Sequence, residues 1–165
     1  TIKPSASRFF MTWTLQGLWV SLCPMCALTA ISSESGIILN VFFYLGVAIF
    51  ILGFCIEIIA DNQKSKFRSI EANKDSFITT GLWAKSRHPN YLGEILLWLG
   101  VAVISFSSLS GWQYLTLISP IFTYLLLVYV SGVRMLEERG EKKWGHNEEY
   151  IKYKSTTPRL FFNLK

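Results

Sequence analysis

Little in this 165-residue chain belongs to a water-soluble enzyme or a disulfide-built secreted domain. There is no GxGxxG run and no strand pattern to carry one, which removes the usual soluble dinucleotide-binding fold. Cysteine is scarce. Cys23 and Cys26 bracket Pro24 and Met25 inside an apolar stretch, with no Lys, Arg or His beside them to favour a thiolate. They read as small packing residues rather than a redox pair, and Cys55 reads the same way. The two histidines, His88 and His146, are far apart and have no Cys or carboxylate at metal-ligand spacing, so no metal site is expected. The chain also lacks a Gly/Ser linker, an internal repeat and a low-complexity tract, so residues 1–165 read as a single membrane domain. The apolar stretch Phe9 to Ile31 has no good small-residue cleavage site after it, which argues against a secretory signal.

What is present is apolar. Hydrophobic residues make up 51% of the chain and aromatics 15%, and the charges are clustered rather than interspersed. Four apolar segments approach the roughly 20 residues that cross the hydrocarbon of a bilayer as helix. They run from about Phe9 to Ile31, Ile37 to Ala60, Leu92 to Ser107 and Trp112 to Val133. Pro24 should bend or interrupt the first and Pro120 should kink the fourth, because proline removes a ladder hydrogen bond. The expected fold is all-α: a polytopic transmembrane helix bundle with about four spans, plus interfacial and C-terminal helices on the cytoplasmic side.

Basic residues set the orientation. Lys3 and Arg8 precede the first span. Lys64, Lys66, Arg68, Lys74, Lys85 and Arg87 lie between the second and third, and the tail begins at Arg134. The connectors Ser32 to Gly36 and Ser107 to Gly111 carry no Lys or Arg. With four spans, the basic regions and both termini share one face, expected to be cytoplasmic, in a bacterial inner membrane or endoplasmic reticulum. Topology and contact with anionic membrane lipids then account for much of the net charge of +5, with no nucleic acid required. The chain begins at Thr1 rather than Met, which leaves room for further helices ahead of it.

Polar chemistry is concentrated in three pieces on that face. At the exit of the second span, Glu57, Asp61, Lys64 and Arg68 recur at helical spacing. They form either an ion-pair ladder or a stripe able to hydrogen-bond a ribose and grip a phosphate. In the second piece, Ser86 to Glu94, Pro89 biases His88 away from helix and Asn90 is the expected cap of the next helix. Arg87, His88 and the helix start would then face an anion, unless this is a re-entry loop bound to headgroups. Glu94 begins an apolar run, where a charge is costly and is usually retained for a task. The third piece follows the last span. Arg134, Glu138 and Lys142 are spaced four apart, as in a solvated surface helix, and Gly145 reads as its terminator.

The run SRHPNYLGE, with the preceding Gly81-Leu82-Trp83 and the following Trp98-x-Gly100, resembles the signature of steroid 5α-reductase-like membrane proteins. The tail KKWG…EEYIKY…TPRLF resembles the end of the sterol C14-type reductases. The RHP-x-Y-x-G and EE…Y parts are shared with isoprenylcysteine carboxyl methyltransferases. The resemblance covers about Ile37 to Phe162. It implies the C-terminal, cofactor-binding part of a larger reductase domain, which binds NADPH and passes hydride to an activated carbon–carbon double bond of a lipophilic substrate (sterol, steroid or enoyl lipid).

Carried over by motif, the resemblance places Asp61 and Arg68 at the cofactor, Asn90 and Glu94 beside the nicotinamide, and Arg134, Glu138 and Tyr150 more loosely at phosphate and pocket; Lys64, Arg87 and His88 join the cofactor set through their own charge and placement. His88, Tyr91 and Glu94 are the local candidates for catalysis and proton donation. The sterol-reductase pattern has an Arg-Asp pair where Met135 and Leu136 stand here, which leaves the register of Arg134 and Glu138 open by about one helical step. The alternative that the resemblance also admits is an S-adenosylmethionine-dependent methyltransferase of a lipid-linked carboxylate. Without the missing helices, a non-catalytic scaffold or lipid-binding module is a third reading. The cations at Lys64 to Arg68 favour NADPH, because S-adenosylmethionine carries a single carboxylate and needs fewer of them.

Overall fold

The computed structural model describes residues 5–162, which places Lys3 outside the described residues. Within them the chain is helical and contains no strand. Three helical stretches are long and apolar enough to cross a membrane, or four if the bent N-terminal pair is one span.

That pair is α1 (Ala6–Leu22) and α2 (Met25–Ser32), bent by 41° at Cys23 and Pro24. The break has the cause expected of Pro24. The Cys23 carbonyl accepts from the Ser119 hydroxyl, and the Cys23 thiol meets Thr123 Oγ1 at 3.2 Å. Polar groups opened by the bend are therefore satisfied inside the bundle, as hydrocarbon requires.

Helix α3 (Val41–Arg68) is capped by Asn40, whose side-chain oxygen accepts from the Phe42 and Phe43 amides. It continues two turns beyond its apolar segment, carrying Lys64 and Arg68 past the membrane stretch. Helix α4 is Pro89–Ser105. Its cap is His88 rather than the expected Asn90, because the ring of Pro89 is suited to the first helical position and the helix starts there. Helices α3 and α4 run antiparallel and meet backbone to backbone at two glycine pairs. A Cβ on Gly46 would lie 2.7 Å from the Gly100 carbonyl oxygen, and one on Gly53 would lie 2.6 Å from that of Gly93. Small residues at both crossings are what allow this approach in a bilayer.

The last span departs from expectation. Residues Gly111–Leu117 form a 3-10 helix that runs directly into α5 (Ile118–Leu125), and Pro120 lies in the first turn of α5, just past the change of helix type. The interruption comes later, at a π-helical turn over Leu126–Val130 that ends at Ser131 and Gly132. A Cβ on Gly132 would overlap the Leu127 carbonyl and press on the Tyr91 ring. Beyond it, α6 (Val133–Trp144) and α7 (Glu148–Thr156) complete the fold, with Gly145 closing α6.

The glycine contacts generate a stability prediction. Gly53→Val or Gly100→Val should destabilise the bundle by about 2 kcal/mol through overpacking. Gly17→Ala, where nothing lies within 4 Å, should be neutral or stabilising by up to about 1 kcal/mol. Tryptophan-detected thermal unfolding in detergent separates the two classes.

Candidate functional site

The loop between α3 and α4 is fixed on both sides. Gly81, at φ +64, begins a 3-10 turn that seats against α3, where Gln63 Oε1 accepts from the Leu82 amide at 2.9 Å. The buried Trp83 indole donates to the Ala60 carbonyl at 3.0 Å. On the other side, the Tyr153 hydroxyl donates to the Trp83 carbonyl at 2.6 Å, and Ser86 Oγ to the Leu160 carbonyl at 2.7 Å. The Arg87 amide donates to the Pro158 carbonyl at 3.0 Å. The C-terminal segment therefore holds the RHP loop against the end of α3.

These elements enclose a cavity of about 360 Å³ at the basic end of the bundle. Lys64 and Arg68 enter it from α3, Arg87 and His88 from the loop, and Arg139 and Lys143 from α6. Its aromatic side consists of Phe67, Phe77, Trp83, Trp144, Tyr150 and Tyr153. The Phe77 ring stacks on Tyr153 at 5.9 Å and meets Tyr150 edge-on at 5.1 Å. Burial pushes both the Tyr150 and the Tyr153 phenols upward, so they act as neutral hydrogen-bonding groups. Gly140 makes room for the Tyr150 hydroxyl, since a Cβ there would overlap it.

One carboxylate organises the cations. Glu137 Oε2 accepts from Arg87 Nη1 at 2.7 Å, and Glu137 Oε1 lies 2.8 Å from His88 Nε2. Lys64 sits over the Trp83 ring at 5.0 Å. Lys143 pairs with Asp75 at 2.8 Å and holds that carboxyl below the usual carboxylate range, and the Trp144 indole donates to the Asp75 carbonyl at 2.7 Å. Lys64, Arg68 and Arg139 form no salt bridge among the described residues. The Nε of Arg87 is buried with no hydrogen-bond partner among them. The cavity thus combines surplus positive charge, an unmet donor and a π surface, a donor set suited to an aromatic anion.

Of the sequence-derived candidates, Lys64, Arg68, Arg87, His88 and Tyr150 meet in this cavity. Arg134 and Glu138 do not. They pair with each other at 3.1 Å on the exposed side of α6. Asp61 and Asn90 are also absent from the lining, Asp61 being exposed on α3 and Asn90 half-buried in the first turn of α4. Tyr91 lies beside the site, its ring stacked on His88 at 5.9 Å. Glu137, Arg139 and Lys143 were not singled out by spacing alone. The missed signal is phase: Val133, Leu136, Gly140 and Trp144 mark the inward stripe of α6, and that stripe includes Glu137 rather than Glu138.

Glu94 faces elsewhere. With Trp98 it lines another, more open cavity of about 340 Å³, together with Gln16, Trp19 and Val20 of α1 and the Cys23–Pro24 break. Across the glycine crossing, Glu57 and Asp61 of α3 are the charges that bear on Glu94. Glu94 lies six residues beyond His88, or about 9 Å along the helix axis.

The chain matches, over residues 2–157, the family described as "Protein of unknown function (DUF1295)", and it belongs to that family. No curated protein and no solved structure matches it.

The Glu137 contacts make a prediction about stability. Glu137→Ala leaves Arg87 and His88 largely buried without their anion and should cost about 3 kcal/mol. Glu138→Ala, in an exposed pair, should change stability by less than about 0.5 kcal/mol. Thermal unfolding of the two variants in detergent checks the contrast.

Proposed function

We propose that this DUF1295 chain is the cofactor-binding part of a membrane-embedded, NADPH-dependent reductase, resembling the steroid 5α-reductase group, that acts on an activated double bond of a lipophilic substrate. The observation that carries the reading is the convergence of Lys64 and Arg68, Arg87 and His88, and Arg139 and Lys143 on one aromatic-walled cavity. A dinucleotide with several phosphate charges needs such cations, and its rings need flat apolar surface. The buried, unpartnered Arg87 Nε is the observation of fit, because a nucleotide oxygen would meet it. S-adenosylmethionine, with one carboxylate, leaves most of that charge unanswered.

NADPH, when bound, supplies the hydride. The chain's residues divide the rest. Lys64, Arg68 and Arg139 hold phosphate, and Trp83, Phe77 and the tyrosines exclude water and stack on rings. His88 has its Nε2 committed to Glu137 and Tyr91 is stacked on His88, so of the three local proton-donor candidates Glu94 faces a cavity free to take substrate. That cavity is apolar along Trp19, Val20, Pro24 and Trp98, and polar at Glu94 and Gln16. A lipophile fits there with its electron-rich oxygen toward the acid, where negative charge develops during reduction. The proposed orientation places the basic end, and so the nucleotide, in the cytoplasm.

The test titrates the purified protein in detergent with NADPH and with S-adenosylmethionine. NADPH should bind more tightly, and the reverse order would favour the methyltransferase reading. Arg68→Ala should weaken NADPH by about tenfold and NADH by less, if its guanidinium meets the additional phosphate. Glu94→Ala should leave NADPH affinity within about twofold while removing NADPH oxidation in the presence of an enone lipophile.

A further inference from the structure

The segment that follows α7 has two sides. Leu160 is buried against Leu92 of α4 and Val128 of the π-turn, and Phe162 packs on the same cluster. Their neighbours face away: Phe161 is 66% exposed, and Arg159 is exposed as well. The segment lies across the basic end of the last span, because Arg159 Nη2 reaches the Val128 carbonyl. At 3.5 Å that bond is weak, and it leaves the other guanidinium donors open. No carboxylate pairs with Arg159 among the described residues, and Arg159 is not part of the basic cavity's wall. Phenols stand near it instead. Tyr129 is 53% exposed, its ring is edge-on to that of Tyr124 at 6.1 Å, and the Arg159 charge bears on the Tyr124 hydroxyl.

We propose that residues 157–162 form a strap that binds an anionic phospholipid: Arg159, with the two phenols near it, takes the headgroup phosphate, and Phe161 enters the acyl chains. Where a span leaves the hydrocarbon, tyrosines and the tips of arginines meet the headgroups. A lone cation with no opposing carboxylate matches a singly negative headgroup, whereas a zwitterionic one brings a cation of its own and gains less. The exposed Phe161 ring gives the same molecule an apolar contact, which a soluble phosphate compound could not use. The strap also carries the RHP loop. On either side of Arg159, the Pro158 carbonyl accepts from the Arg87 amide at 3.0 Å, and the Leu160 carbonyl accepts from Ser86 Oγ at 2.7 Å. A lipid held at Arg159 fixes both acceptors and so steadies the loop, which makes the headgroup composition of the bilayer a control on the cavity behind it. Neither step requires a nucleotide.

The experiment places the full chain in nanodiscs of phosphatidylcholine, with or without phosphatidylglycerol, and reads lipid retention by native mass spectrometry and backbone hydrogen exchange. Wild type should retain phosphatidylglycerol about fivefold over phosphatidylcholine, the contribution of one basic residue at an anionic surface. Arg159→Gln should remove that preference while its far-ultraviolet helix signal is unchanged, and Phe161→Ser should weaken both lipids alike. Phosphatidylglycerol should slow exchange over residues 157–162 and over the RHP loop in wild type but not in Arg159→Gln. An Arg159→Gln protein that keeps the preference overturns the site, and a Phe161→Ser protein that holds both lipids as wild type does overturns the insertion. Slowing confined to residues 157–162 overturns the control of the loop. Inorganic phosphate that slows exchange in phosphatidylcholine as far as phosphatidylglycerol does assigns the patch to a soluble anion and overturns the lipid. Wild-type exchange over residues 157–162 that ignores phosphatidylglycerol overturns the strap altogether, and that measurement needs no variant to fold. No cofactor is present in any arm, so these outcomes stand apart from whether NADPH binds.

Discussion

The acid cluster and the loop that carries Arg87 are positioned by the contact of two bare backbones. Gly46 against Gly100 and Gly53 against Gly93 bring α3 and α4 closer than any side chain would permit. The pairs are seven residues apart on each helix, two turns, so they sit on one seam. At one end of the seam Glu57 packs beside Gly93 and so faces Glu94 across the crossing. Beyond it, α3 delivers Ala60 and Gln63 to the Trp83 turn. Widening the seam by a methyl group on either side would move both the acid cluster and the loop that carries Arg87.

Outside the seam the organising force is electrostatic. A cavity lined by lysine and arginine repels itself, and a fold that builds one needs an internal counterion. Glu137 serves Arg87 and His88 together, and Asp75 serves Lys143 at the rim. The two acids differ in setting. Glu137 is largely buried and fixed from both sides, whereas the Asp75 side chain is 94% exposed. The inner pair therefore shapes the site, and the outer one contributes little beyond tethering the loop.

The membrane helices were legible because their signal is a long apolar run, and the break at Pro24 was legible because no other residue opens a ladder so reliably. The π-turn before Gly132 was not legible, because its residues Leu126 to Val130 carry no proline or glycine to mark it. Asn90 misled, since Pro89 had already taken the first helical position. The convergence of α3, the RHP loop and the tail followed from charge and topology. The identity of the acid did not. Choosing Glu137 over its neighbour Glu138 requires the phase of α6, which is fixed by Val133 and Gly140 against the rest of the fold. Phe77 was invisible because its segment has no periodicity, and its place comes only from the rings around it.

The bonds from Arg87 to Pro158 and from Ser86 to Leu160 carry a consequence for biosynthesis. Residues 150–160 leave the ribosome after the membrane helices described above have been made, yet they supply the wall behind the RHP loop. A nascent chain whose spans are already inserted still has an open groove where the finished protein has a chamber. Closure of the chamber therefore follows synthesis of the helices it covers.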